Sequence, residues 1–69
     1  MYKWKIELIL KSGKELTVYY KNDINNSLLI ANEMLISNQN GMFIFMDKDE
    51  TKHIFVKRSE IASAAISVA

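Results

Sequence analysis

Tyr2-Lys3-Trp4-Lys5-Ile6-Glu7-Leu8-Ile9-Leu10-Lys11-Ser12-Gly13-Lys14-Glu15-Leu16-Thr17-Val18-Tyr19-Tyr20-Lys21 alternates, turns and alternates again. Tyr2, Trp4, Ile6, Leu8 and Leu10 share one parity, while Lys3, Lys5 and Glu7 share the other. Successive side chains of a strand point to opposite faces, so period 2 over nine residues marks a half-buried strand. Lys11 to Lys14 is a turn whose Gly13 tolerates positive φ. Beyond it Leu16, Val18 and Tyr20 oppose Thr17, Tyr19 and Lys21. Two alternating runs joined by a short glycine-containing turn predict a β-hairpin.

Toward the C-terminus, the polar stretch Lys21 to Asn26 ends the hairpin, and Asp23, Asn26 and Ser27 are each suited to cap a helix. Leu28, Ala31 and Leu35 recur at helical spacing, with Ile24 one turn before and Met34 beside them; Asn32 and Glu33 lie opposite. Ser37 to Gly41 is the expected stop. Met42-Phe43-Ile44-Phe45-Met46 is apolar on both parities, as in a strand covered on both faces. Asp47 to Thr51 reads as a connection of hairpin length, and Ile54 and Val56 then alternate with His53, Phe55 and Lys57. After a second turn at Arg58-Ser59-Glu60, Ala62, Ala64, Ile66 and Val68 alternate with Ser63, Ala65 and Ser67. This predicts a fifth strand, with a helix from Ser59 as the competing reading. The expected fold is α+β, in the order β-β-α-β-β-β: an antiparallel curled sheet or small barrel with one helix packed on it. The pairing order of the strands is not encoded in these patterns.

Sixty-nine residues suit a single domain, 1–69. A chain this short buries about 60% of its unfolded surface, so its core is marginal without a supplement. The sequence has no Cys, which removes disulfides, and one His, which nearly removes zinc. Association with another copy is the supplement that remains. One helix covers one sheet face, leaving Ile9, Tyr19, Phe55 and one parity of the 42–46 strand on the other. Either the sheet curls and hides these groups or a second chain covers them. The net charge of +1 creates no field calling for nucleic acid or an anionic membrane. No apolar run is long enough to span a bilayer and the opening residues lack a signal-peptide pattern, so a cytoplasmic protein is expected.

A search for chemistry finds no catalytic motif. Nucleophilic catalysis requires a base and an orienting group, and His53, the only imidazole, falls within a strand. Asp47, Asp49 and Glu50 are the only acidic cluster; counted from Asp47, Lys52 and Arg58 stand where a calcium loop needs Gly and Glu. Gly13 and Gly41 are too far apart to cradle a phosphate. No catalytic residue, cofactor site or metal site is therefore expected, and the chain does not read as an enzyme. The outward parity of the first hairpin does place Lys3, Lys5 and Lys21 around Tyr19, the pattern of a single-strand nucleic-acid platform, interrupted by Glu7 and Glu15. The bland alternative is a solvated face whose edge lysines oppose aggregation.

The stretches Ile6 to Leu16 and Ile54 to Ala62 resemble, in pattern, pieces of small proteins encoded by phages and mobile elements of low-GC Gram-positive bacteria. The abundance of Lys, Ile and Asn, whose codons are AT-rich, agrees with such a source. The strand, short turn, strand ending also resembles small Sm-like or SH3-like barrels, although the helix here follows the second strand. The phage resemblance implies an inhibitor of host or defence machinery, or a small accessory protein of DNA metabolism. The favoured expectation is a non-catalytic interaction module that associates with itself, a host protein, or both. Tyr19, Phe43, Phe45 and Phe55 are its candidate contact residues, since interface cores favour aromatics; plain core packing is the competing role for each. Two alternatives stand beside it: a nucleic-acid-binding protein using Lys3, Lys5, Tyr19 and Lys21, and a nucleotide or small-ligand sponge with its pocket at a subunit interface.

Overall fold

Gly13 takes φ +90, and the backbone bonds Gly13 N–H to Leu10 C=O (2.8 Å) and Leu10 N–H to Lys14 C=O (2.9 Å) close the first turn. This pins β1 (Tyr2–Leu10) antiparallel to β2 (Glu15–Asn22), with Trp4 opposite Tyr20, Ile6 opposite Val18 and Leu8 opposite Leu16. The computed structural model describes residues 2–35 and 41–69. Its further elements are α1 (Ser27–Leu35), β3 (Met42–Met46), β4 (His53–Lys57), a 3-10 turn at Arg58–Glu60 and β5 (Ile61–Val68). The strands form one five-stranded antiparallel sheet in the order β4-β3-β2-β1-β5, so β1 lies inside the sheet between β2 and β5. The result is an α+β fold with one short helix.

The tail is a strand, paired along β1 with Ile66 opposite Ile6 and Ala64 opposite Leu8. One detail departs from the strict alternation. The register shifts between Ile9, opposite Ser63, and Leu10, opposite Ile61, so Ala62 is the extra residue of a bulge. Beyond the bulge the parity flips, which buries Ile61 (5% exposed) and leaves Ala62 exposed.

β3 and β4 form the second hairpin. Asp47 organises its turn: Oδ1 accepts from Thr51 N–H (2.7 Å) and Lys52 N–H (3.2 Å), and Oδ2 accepts from the Thr51 hydroxyl (2.6 Å). Glu50 sits at φ 60, in the left-handed region that favours glycine. Phe43 opposite Val56 and Phe45 opposite Ile54 face inward; Met42 opposite Lys57, Ile44 opposite Phe55 and Met46 opposite His53 form the other face. The hairpin joins the rest of the sheet at Tyr19 opposite Met46.

The core consists of Trp4, Ile6, Leu8, Val18, Ile30, Phe43, Phe45, Val56 and Ile61. Phe45 meets Tyr20 edge-on (6.1 Å, 83°) and Phe43 at a tilt (5.9 Å, 47°). Phe43 and Phe45, two of the four aromatic candidates for partner contact, take core positions in the chain. Both are buried, because they share a parity that points under the helix-side face, where the aromatic area is best removed from water.

Asn26 caps α1, its Oδ1 accepting from Leu28 N–H at 2.8 Å and its carbonyl from Ile30 N–H at 3.2 Å. The expected buried stripe through Leu28 and Ala31 is rotated. Ile30 is fully buried, Ala31 is half-buried and Leu28 is 72% exposed. Leu28, Leu29 and Ile30 are consecutive, so the pattern alone gives a weak directional preference. The Asn26 cap and the Trp4 Nε1–H bond to the Ile24 carbonyl (3.0 Å) fix how the segment enters and which side meets the sheet. The expectations for the side chains of Glu33, Met34 and Leu35, and for a stop over Ser37 to Asn40, lie outside the described residues. Among the described residues, no helix is long and apolar enough to cross a membrane.

Candidate interaction surfaces

The sheet face opposite the core divides into a charged half and an apolar half. On β1 and β2, Lys3 stands opposite Lys21 and Lys5 opposite Tyr19. Like charges directly opposed across strands repel, and Glu50 relieves this from the β3–β4 turn. Lys21 Nζ lies 2.6 Å from Glu50 Oε1 and Lys3 Nζ lies 3.8 Å from Oε2. Lys3 Nζ also donates to the Lys48 carbonyl at 2.8 Å and sits 5.2 Å from the centre of the Tyr19 ring. Lys5 Nζ is 3.9 Å from Glu7 Oε1. The hydrogen bond from Lys21, aided by its charge and that of Lys3, holds the Glu50 carboxyl below its ordinary value. The Asp47 carboxyl is likewise lowered, chiefly by the Thr51 hydroxyl and then by the turn amides.

The structure therefore brings Lys3, Lys5, Tyr19 and Lys21 onto one face and turns two of the four, Lys3 and Lys21, toward a single carboxylate. A phosphate approaching Lys3 or Lys21 would compete with Glu50. Asp47 closes its own turn, and among the described residues no group of three or more His, Cys, Asp or Glu side chains is placed to hold a metal ion.

The apolar half belongs to the second hairpin. Met42 is 50% exposed, Ile44 54% and Phe55 62%, and Ile44 and Phe55 are direct cross-strand neighbours. Tyr19 and Met46 continue the patch toward β2, and both are half-buried. An open groove of about 290 Å³ lies there, lined by Tyr19, Tyr20, Lys21, Ile44, Met46 and His53. The rim is polar: Lys57 stands opposite Met42, His53 opposite Met46, Lys52 precedes β4, and Lys21, paired with Glu50, borders the groove. Of the four aromatic candidates, Phe55 lies in this surface and Tyr19 at its margin. The sequence places one parity of the 42–46 strand on this face without saying which, and the structure shows it to be that of Met42 and Ile44.

A second surface is β5, which among the described residues forms the other edge of the sheet. Its eight residues, Ile-Ala-Ser-Ala-Ala-Ile-Ser-Val, carry no charge. No protein-family model matches the chain, and neither a curated protein nor a solved structure matches it.

Proposed function

We propose that this chain is a non-catalytic interaction module whose outer β3–β4 face docks a partner protein. The observation that carries this reading is the contiguous exposure of Met42, Ile44 and Phe55 on a short hairpin whose other face is core. Isolated exposed apolar groups are ordinary; adjoining ones rimmed by charge are the mark of a contact surface. The Lys57 and Lys52 part of the rim specifies the partner's chemistry, an apolar centre flanked by carboxylates. It also disfavours a second copy on this face, since the rims would repel. The single Tyr19–Met46 junction supports a sheet that curls there rather than a flat one. The absence of cysteine accords with a reducing, cytoplasmic setting. In the phage reading suggested by the sequence pattern, the docked partner is a host or defence protein that the module inhibits. The nucleic-acid reading is less favoured, because Glu50 already engages Lys3 and Lys21.

The test is selection of binders from a displayed random-peptide library. Enrichment of peptides with large apolar residues flanked by Asp or Glu, whose binding is lost in a folded Phe55→Asp variant, is the expected result. Binders without that composition, or binding indifferent to Phe55→Asp, would overturn the assignment of this face.

A further inference from the structure

The two edges of the sheet differ in kind. β4, at one edge, carries His53 and Lys57 and is preceded by Lys52, the placement by which edge strands resist pairing with another chain. β5, at the other edge, has eight residues without a charge or a proline. The direction of its unpaired groups follows from one bond. Ala69 N–H donates to the Lys3 carbonyl at 3.0 Å, so residue 69 faces β1. In an antiparallel ladder, alternate residues direct both N–H and C=O to the same neighbour. Ser67, Ala65 and Ser63 therefore also face β1, and Val68, Ile66 and Ala64 direct their backbone groups away from it. Among the described residues, the principal neighbours of β5 are β1 and α1. An open cleft of about 470 Å³ separates the start of α1 from Ile66 to Val68. Val68 is 72% exposed, and α1, which packs on β5, exposes Leu28 (72%) and Leu29 (51%).

We propose that two copies of the chain pair antiparallel along their β5 edges, joining two five-stranded sheets into one about a two-fold axis. This specifies the self-association expected of a small interaction module, and it uses a surface distinct from the outer β3–β4 face. A second copy is the occupant the edge fits. A chargeless strand meets itself without repulsion, whereas a charged segment would find no opposite charge on β5. Symmetry restricts the register. The axis must be perpendicular to the sheet for both helix-bearing faces to lie on one side, so paired residues share parity. With the axis at Ala65, Ala64 stands opposite the partner's Ile66 and Ser63 opposite the partner's Ser67. The pairing satisfies the outward N–H and C=O groups and sets the two α1 helices, each packed on its own β5, on the same side of the joined sheet. A standard interface of about 800 Å² per partner is roughly a sixth of the 4661 Å² surface of one chain, within reach of a strand and a helix.

The test is solution mass by light scattering behind a sizing column, with charge-swapped variants. Wild type is expected at twice the 8.0 kDa of the chain. Ser63→Glu/Ser67→Glu places acids on the exposed outer face, where residue 67 neighbours Lys5 in the ladder, so the fold is spared while carboxylates meet across the axis. That variant and Ser63→Lys/Ser67→Lys should each elute at the single-chain mass, and an equimolar mixture should recover the doubled mass. Phe55→Asp should remain a dimer. A wild-type protein at 8.0 kDa at every concentration, a Glu variant that keeps the doubled mass, or a mixture that does not recover it would overturn the proposal. So would a monomeric Phe55→Asp, which would move self-association to the hairpin face. The peptide-selection result depends on neither β5 substitution, so the two readings fail separately.

Discussion

Replacing Phe45 with Ala and Phe55 with Ala should separate the two faces of the second hairpin by several kcal/mol. Phe45 is 1% exposed and packs edge-on to Tyr20 and against Phe43. Truncating a buried Phe costs about 3–5 kcal/mol in lost transfer energy and residual cavity. Phe55 is 62% exposed, so little more than a third of its ring is hidden. Scaling the roughly 1.5–3 kcal/mol for burying a large apolar side chain gives about 0.5–1 kcal/mol for Phe55→Ala. A chain of 69 residues at about 0.05–0.15 kcal/mol per residue has about 3–10 kcal/mol in all, so Phe45→Ala removes much or all of it. Urea unfolding followed by the fluorescence of Trp4, the one tryptophan and itself 3% exposed, reads both variants. With a slope near 1 kcal/mol per molar, Phe45→Ala should lower the midpoint by about 3 M or unfold the protein outright, and Phe55→Ala by less than about 1 M. Protein concentration must be held fixed, because association raises apparent stability. Equal losses, or a Phe45→Ala loss below about 1 kcal/mol, would refute the division of the hairpin into a core face and a contact face.

Acid should weaken the fold through Glu50 and Asp47. Both carboxyls are lowered in the native state, so the unfolded chain binds more protons; their stabilisation is complete above the ordinary carboxylate values near pH 4 and is lost as pH falls through the lowered ones. Glu50→Gln should therefore be less stable than wild type at neutral pH and show a shallower acid decline, with the difference vanishing at low pH in a series of thermal melts. Trp4→Phe, which deletes the 3.0 Å bond to the Ile24 carbonyl, should cost about 1–3 kcal/mol in urea titrations read by circular dichroism, and an unchanged midpoint would remove that tether from the account. Asn26→Ala removes the α1 cap and should cost about 0.5–2 kcal/mol, with amide exchange rising first at Leu28.

The first hairpin was legible because its apolar residues keep to one parity on both sides of Gly13, and register then followed from the turn. The 42–46 strand was not legible in the same way. Phe43 and Phe45 compete with Met42, Ile44 and Met46 for the buried side, and aromatic character suits a core as well as an interface. The rotation of α1 escaped for a related reason: three consecutive large apolar residues leave the choice of buried face to tethers outside the helix. Strict alternation groups Ala62 with Ala64, Ile66 and Val68 because it cannot reveal a bulge, which depends on the strand opposite. Glu50 reaches Lys3 and Lys21 only through tertiary structure, and its role in the charged half of the outer face had no local signature. The unguarded edge of β5 became visible once the sheet order placed β1 inside and β5 outside.

The most direct test of the account is residue-resolved amide hydrogen exchange along β5 in native conditions. Paired edges predict slow exchange at Ala64 and Ile66, whose N–H groups point away from β1, together with the slow exchange at Ala65 and Ser67 that β1 itself confers. Fast exchange at Ala64 and Ile66 beside protected Ala65 and Ser67 would show an open edge and contradict self-pairing through β5.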